Sequence, residues 1–285
     1  MAKFAYTIGS AVATGTFGFG MMLTGALAAD VDPGCVPAVS AINGKIEGAG
    51  GWYEDEVGDG TRFQGVASLS LPLGCLFGAQ VDLGAGDLDG DGFFGVGGHL
   101  FMRDPASYLL GIHGQYIDLS GEDIFRFGPE AEFYLDSITL SAMVGFEDVD
   151  DFNTDDVVAQ VEAAYYINDN FKLYGGYRNF LSINAGAIGF EFQPEALPGS
   201  VFVDAMVGSD DYVSVMGGLR FYFGAEDKSL KARHREDDPG NFFNLLARVA
   251  EGCVPVPDDE SAEDGVAVNY CPDPTKEETI LLQRN

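Results

Sequence analysis

The chain has 285 residues, a formal net charge of -30 at pH 7 and a hydrophobic content of 46%. A charge of this sign argues against nucleic acid as a partner, because phosphates are bound by Lys and Arg. The 39 glycines and 22 phenylalanines indicate many short, closely packed strands joined by tight turns.

Residues 1–28 have the features of a secretory signal peptide. Lys3 precedes a long run of apolar and small residues, and Ala26-Leu27-Ala28 matches an A-x-A cleavage site. The run is long enough for a transmembrane anchor, but its Gly, Ser and Thr content and the cleavage site favour a signal that is removed. No later segment contains the roughly 20 apolar residues that a spanning helix requires.

The four cysteines form no CxxC pair, and export leads to an oxidising compartment. Two disulfides are therefore predicted rather than a metal site. Three pairings are possible, and proximity in the sequence favours Cys35 with Cys75 and Cys253 with Cys271.

From about residue 41 to residue 223 the chain repeats segments of alternating character, each roughly ten residues long and closed by a turn signal. In residues 125–135 one face carries Phe125 and Phe133, while the other carries Arg126, Glu130 and Glu132. These charges would need many partners in a dry core. About twelve such segments predict an all-β, antiparallel up-and-down transmembrane barrel over residues 29–224, with a wet interior.

The connections alternate between compact turns and strongly acidic links, as expected for periplasmic and extracellular ends of a barrel. With an even number of strands, all four cysteines fall on the periplasmic side. The acidic links are residues 54–60, 87–92, 121–123, 147–156 and 209–211.

The signal peptide, the two-residue repeat and the closing strand Gly218-Leu219-Arg220-Phe221-Tyr222-Phe223 resemble Gram-negative outer-membrane β-barrel proteins, including small porin-like members. The resemblance implies contact with outer-membrane lipid and lipopolysaccharide, and recognition of the aromatic strand by the outer-membrane assembly machinery. In that superfamily the aromatic strand usually ends the chain, whereas here residues 225–285 follow. We expect them to form a loosely ordered, partly helical or disordered periplasmic tail, with a short amphipathic helix over residues 242–249.

Asp87, Asp89, Asp91 and Gly92 match positions one, three, five and six of a calcium loop. The bidentate acid at position twelve is absent, because Gly98 stands there. The stretch is therefore predicted to be a hairpin turn, with weak Ca²⁺ or Mg²⁺ binding as the alternative. No other cofactor is predicted, and a phosphate cradle is excluded because no strand-to-helix transition and no P-loop lysine are present.

Acids outnumber bases among the residues that the alternation assigns to the lumen. This predicts a narrow, weakly cation-preferring diffusion pore for small solutes. Alternatively, the charges brace a closed structural barrel whose acidic extracellular loops interact with other molecules. An enzyme is not predicted, because His99 and His113 have no nucleophile pattern beside them; a soluble secreted β protein is a further alternative. The lumen residues are Lys45, Glu47, Asp82, Arg126, Glu130, Glu132, Glu162, Lys172, Arg178, Glu191, Asp204 and Arg220.

Overall fold

The computed structural model describes residues 35–56, 58–149, 154–194, 197–224, 228–246, 254–255 and 269–270. Twelve antiparallel strands close into one barrel, in which each strand pairs with its neighbours in sequence and the first pairs with the last. This confirms the predicted barrel. The strands are β1 (Asn43–Asp55), β2 (Gly58–Pro72), β3 (Phe77–Leu88), β4 (Asp91–Asp104), β5 (Tyr108–Leu119), β6 (Glu122–Leu135), β7 (Ile138–Val149), β8 (Thr154–Asn168), β9 (Phe171–Phe180), β10 (Ile183–Phe192), β11 (Gly199–Gly208) and β12 (Val213–Phe223).

Burial alternates along the strands because successive side chains point to opposite faces of the sheet. In β2, every second residue from Arg62 to Ser70 is buried, while Phe63 between them is exposed. In a closed barrel, buried residues face the lumen and exposed residues face outwards. The outward face is an apolar belt, which is the surface that a barrel presents to lipid. On this outward face Leu140, Val144, Leu219 and Phe221 are 41–55% exposed.

We call the rim where β1 begins and β12 ends the terminal rim, and the opposite rim the distal rim. On the distal rim, the β3–β4, β5–β6 and β9–β10 hairpins have two-residue loops with positive φ at both residues, which is the type I′ turn. The acidic links at residues 87–92 and 121–123 are therefore strand ends joined by tight turns, and the hairpin turn predicted for residues 87–92 is confirmed. In the first hairpin, Asp89 and Gly90 form the turn, and the Asp87 carboxylate accepts a hydrogen bond of 2.8 Å from the Gly90 amide.

After β12, the chain forms the helix α1 (Leu230–Glu236), and farther on β13 (Val254–Pro255) pairs with β14 (Asn269–Tyr270). The Ser229 hydroxyl caps α1 by accepting a hydrogen bond from the Ala232 amide. The predicted helix over residues 242–249 is wrong for its described part, because residues 242–246 make a turn with buried side chains around it. Within the described residues, no helix is long and apolar enough to cross a membrane.

The predicted disulfide between Cys35 and Cys75 is confirmed, with 5.8 Å between the two Cα atoms. The Ala38 amide also donates a hydrogen bond to the Cys75 carbonyl, which holds the segment before β1 against the β2–β3 turn. Cys253, Cys271 and the predicted signal peptide lie outside the described residues.

Candidate functional site in the plugged lumen

Residues 237–246 lie inside the barrel, and we call them the plug segment. Asp237 and Asp238 are 2% and 4% exposed, and Phe243 and Leu245 are fully buried. The prediction of a periplasmic tail that lies wholly outside the barrel is wrong for residues 237–246. Their apolar side chains pack against apolar residues of the lumen. The side of the membrane on which the remaining tail lies stays a prediction.

Charged contacts hold the plug segment at the terminal rim. The Lys45 ammonium group forms a buried ion pair with Asp238 and also donates to the Pro239 carbonyl. The Asp237 carboxylate accepts hydrogen bonds from the Ser40 hydroxyl at 2.5 Å and from the Lys228 ammonium at 2.8 Å. This end of the plug segment is thus bound to both β1 and the segment that precedes it.

Helix α1 covers the terminal ends of β6 to β10. His234 lies between the Tyr166 hydroxyl, 2.9 Å from its Nδ1, and the Glu191 carboxylate, 3.4 Å from its Nε2. Arg235 donates hydrogen bonds to the carbonyls of Leu135 and Ile138. Burial, reinforced by the charge of Lys172, lowers the pKa of His234 from 6.5 despite the nearby Glu191. Burial also raises the pKa of Asp237 above its usual 3.8.

Two lumen arginines bind the backbone of the plug segment near the distal rim. Arg62 donates to the carbonyls of Phe243 at 2.5 Å and Leu246 at 2.7 Å, and more weakly to that of Asn244. Arg126 donates to the Leu245 carbonyl at 2.7 Å. Because this turn has no sheet partner, the guanidinium groups satisfy carbonyls that would otherwise be buried without a hydrogen bond.

The side chains of Phe243, Leu245 and Leu246 close the distal end of the lumen. Gly84 makes room for the Phe243 ring, since a Cβ atom at Gly84 would lie 2.7 Å from it. We call the cluster that these three residues complete the apolar seal. Its barrel members include Leu88, Phe93, Ile117, Leu119, Ile124, Val149, Val158, Phe180 and Ile183.

A cavity of about 150 Å³ remains between the plug segment and the wall formed by β6 to β9. Gly240 of the plug segment borders it, and a Cβ atom there would meet nothing within 4 Å. Hydroxyl and amide groups from Thr139, Ser141 and Gln160 add to a mostly polar wall. The charged residues of the lining are Glu47, Glu130, Glu132, Glu162, Asp238, Lys45, Lys172, Arg178 and Arg220.

All twelve lumen residues predicted from sequence lie on the inward face, and ion pairs join most of them. Arg220 bridges Glu47 and Glu191, with both N–O distances at 2.5 Å. Arg178 binds Asp204 through two hydrogen bonds of 2.8 Å. Further pairs are Arg126 with Glu147, Lys172 with Glu191, Arg178 with Glu162, and His99 with both Asp82 and Glu130.

The lumen residues predicted from sequence do not include Arg62 and Arg103, which are both almost fully buried in the lumen. The alternation that directs His99 inward also directs Arg103 inward on the same face of β4, so Arg62 alone was missed. Arg62 alternates with Gln64 and Ser68 on one face of β2, so the two-residue period could have identified it. It was missed because the preceding residues were interpreted as a long loop. With Arg62 and Arg103, the five predicted lumen bases become seven, which equals the number of predicted lumen acids, so this set carries no excess of acids.

The structure does not bring Asp87, Asp89 and Asp91 together as a metal site. Their hairpin has the geometry of a tight turn, and the described part of the chain contains no group of three or more His, Cys, Asp or Glu side chains that could hold a metal ion. Weak binding of Ca²⁺ or Mg²⁺ at this hairpin stays a prediction.

A closed antiparallel barrel with an apolar outer belt and a charged lumen is the architecture of outer-membrane β-barrel proteins. The chain is similar to the solved structure of the KdgM porin in complex with disordered oligogalacturonate, with 8% identity over 65% of this chain and 99% of that chain and a TM-score of 0.47. It is similar to an outer membrane channel from Pseudomonas putida F1, with 13% identity over 68% of this chain and 100% of that chain and a TM-score of 0.44.

Another similar structure is the Salmonella typhi outer membrane phospholipase dimer with bound calcium, with 11% identity over 67% of this chain and 93% of that chain and a TM-score of 0.44. No protein-family model and no curated protein sequence matches this chain. Likeness at this level concerns the fold alone, so activity has to be inferred from the lumen.

Proposed function

We propose that the protein is an outer-membrane pore with a narrow, weakly cation-preferring path for small solutes. The path is the cavity between the plug segment and the wall of β6 to β9. The observation that carries the proposal is the charge of the cavity lining, which has five carboxylates and four bases. A small excess of acids in a narrow, low-dielectric space attracts cations and repels anions.

Pairing within the cavity strengthens this charge argument. Each of the four bases lies within ion-pair distance of a carboxylate other than Glu132: Lys45 of Asp238, Lys172 of Glu191, Arg178 of Asp204, and Arg220 of Glu47 and Glu191. Among the residues that the structure describes, no base lies within 4 Å of the Glu132 carboxylate. The negative charge that remains is therefore on the β6 side of the cavity.

In the proposed pore, the arrangement with the plug segment docked is the closed state. The apolar seal blocks the cavity at the distal end, and helix α1 covers it at the terminal rim. Conduction therefore requires a shift of the plug segment away from the seal.

Planar-bilayer conductance tests the proposal. In wild-type protein we expect a reversal potential under a KCl gradient that indicates cation preference. Gly240→Phe should reduce conductance strongly, because the new ring projects into the cavity without removing a contact. Gly48→Phe is the matched control, since this glycine lies on the outer face and also has open space around it. Anion preference, or equal conductance in the two variants, would contradict the proposed path.

The apolar seal itself favours a second candidate, a permanently closed structural barrel. Its acidic distal rim would then bind lipopolysaccharide phosphates through divalent cations. Gly84→Ala separates the two functions, because its methyl group overlaps the Phe243 ring and should cost the docked plug segment about 1–3 kcal/mol. Gly97→Ala is the control, with its Cβ in ordinary contact 3.5 Å from Asp82. A gated pore should open more often in Gly84→Ala alone, whereas a structural barrel should stay silent in both variants.

No catalytic role is proposed for the lumen histidines. His99 is held between two carboxylates, with Asp82 3.1 Å from its Nε2 and Glu130 2.9 Å from its Nδ1. Both ring nitrogens are thereby engaged, so His99 is not positioned to accept a proton from a serine nucleophile.

A further inference from the structure

Glu132, Ser141 and Glu162 form a row across three neighbouring strands of the cavity wall. Ser141 of β7 pairs with Glu132 of β6 on one side and with Glu162 of β8 on the other, and all three line the cavity. The two carboxylates are two strand spacings apart, about 10 Å at the backbone. A hydroxyl group thus lies between two acids at one level of the lumen.

Neither carboxylate of this row has a dedicated basic partner in the described residues. Glu132 accepts a hydrogen bond of 2.7 Å from the Tyr134 hydroxyl and has no basic group within 4 Å there, so the charge of Arg103 acts on it only from a longer distance. Glu162 is 3.6 Å from Arg178, but that guanidinium binds Asp204 through two shorter contacts. A carboxylate that is removed from water without a paired charge is unfavourable, so the row is suited to a cationic ligand.

The cavity limits the size and chemistry of that ligand. Its volume of about 150 Å³ admits a small organic molecule, and Met143, Ala164 and Phe202 supply apolar surface beside the acids. In the described part of the chain, no cluster of acids and histidines is arranged for a metal ion. The ligand that fits two separated carboxylates in a cavity that also has apolar lining is an organic cation with charge at both ends.

We propose that this row binds a short aliphatic diamine as its diammonium ion. One ammonium group pairs with Glu132 and the other with Glu162, while the Ser141 hydroxyl accepts a further hydrogen bond and the alkyl chain contacts the apolar lining. The proposal uses the cavity of the proposed function and names a solute class for it. It requires only that the cavity admits the ligand, not that the barrel conducts.

The test is binding of 1,4-diaminobutane to the full-length protein in detergent, measured by isothermal titration calorimetry. We expect the diamine to bind and 1,4-butanediol, which has the same length without charge, not to bind. Glu132→Gln and Glu162→Gln should each weaken binding at least about tenfold, the loss expected for one charge-assisted hydrogen bond. Asp136→Asn, in the exposed turn between β6 and β7, should bind as wild type does.

Gly240→Phe provides an independent variant, because it keeps both carboxylates and fills the space between them and the plug segment. It should abolish binding of the diamine. Wild-type affinity in Glu132→Gln, in Glu162→Gln or in Gly240→Phe would overturn the diamine site. Diamine binding without any conductance would refute the pore and leave the site standing, whereas conductance without diamine binding would refute only the site.

Discussion

The two ends of the plug segment are held by opposite kinds of contact. At the terminal rim, residues 237–239 depend on an ion pair and on hydrogen bonds to charged groups. Near the distal rim, residues 242–246 depend on apolar packing and on carbonyls bound by Arg62 and Arg126. Buried ion pairs gain little over apolar packing but are costly to break, so they fix the position of a chain more than they stabilise it. The comparison indicates that the terminal end positions the plug segment and the distal end closes the lumen.

The largest expected effect comes from placing charge in the apolar seal. In the double variant Leu245→Glu and Leu246→Glu, each substitution removes the roughly 1.5–3 kcal/mol by which a buried leucine stabilises docking of the plug segment. Each unpaired, buried carboxylate then destabilises docking by several kcal/mol more. The distal end of the plug segment should leave the seal, and open-channel conductance should rise. Planar-bilayer recording measures the change.

Leu197→Glu is the control for added negative charge, because Leu197 is 58% exposed in the β10–β11 connection at the terminal rim. It should leave conductance unchanged. A double variant that stays as closed as wild type would show that the apolar seal does not close the lumen.

An intermediate effect is expected at the positioning end. Asp238→Asn leaves the Lys45 ammonium buried without its partner, which should weaken docking of residues 237–239 by about 3–5 kcal/mol. Hydrogen exchange of the Asp237 and Asp238 amides should accelerate much more than exchange in residues 243–246. Because the loss arises from the unpaired lysine, combining the change with Lys45→Met should restore much of the protection, which a double-mutant cycle quantifies. Equal acceleration at both ends would mean that the plug segment docks as one unit.

The smallest effect is a dependence on pH at helix α1. His234 has a lower pKa when α1 is docked than its ordinary 6.5, so docking is favoured above that value and loses stability as pH falls through 6.5. Docking raises the pKa of Asp237, so this carboxyl group has the opposite effect: it makes docking less favourable as the pH rises above 3.8. Amide exchange of α1, corrected for the intrinsic dependence of exchange on pH, should therefore become faster as the pH falls from 7.5 to 5.5.

His234→Gln should remove that acceleration, since the replacement does not titrate beside Glu191 and Lys172. Persistence of the pH effect in this variant would assign it to another group. The distal end of the plug segment serves as an internal reference, because its contacts are apolar or involve backbone carbonyls.

The barrel could be predicted from sequence because the signal is local. In β6, charged residues alternate with apolar ones, so the sequence of this strand alone shows which face is polar and which is apolar. Knowledge of the neighbouring strands is not needed. The plug segment could not be predicted, because the apolar residues Phe242, Phe243, Leu245 and Leu246 fit an amphipathic helix equally well. Their conformation is decided by lumen residues from many strands, and the local pattern carries no information on those contacts.

The candidate site also combines a feature that the local sequence predicts with one that depends on contacts between strands. Alternation placed Glu132 and Glu162 in the lumen, but not the row that they form with Ser141, because the row depends on strand register. Ion-pair partners depend on contacts across the barrel as well. The pairing of Lys45 with Asp238 joins the first strand to the tail, 193 positions apart.

The Cys35–Cys75 disulfide gives the lumen a link to redox chemistry. It fastens residues 35–40 beside the terminal rim, where the Ser40 hydroxyl binds Asp237, 197 positions later in the chain. The oxidised bond keeps Ser40 within reach of α1, and a docked Asp237 in turn holds Ser40 beside the β2–β3 turn. Coupling of this kind is reciprocal, so a change in the oxidation state of Cys35 and Cys75 also changes how firmly the plug segment is docked in the barrel.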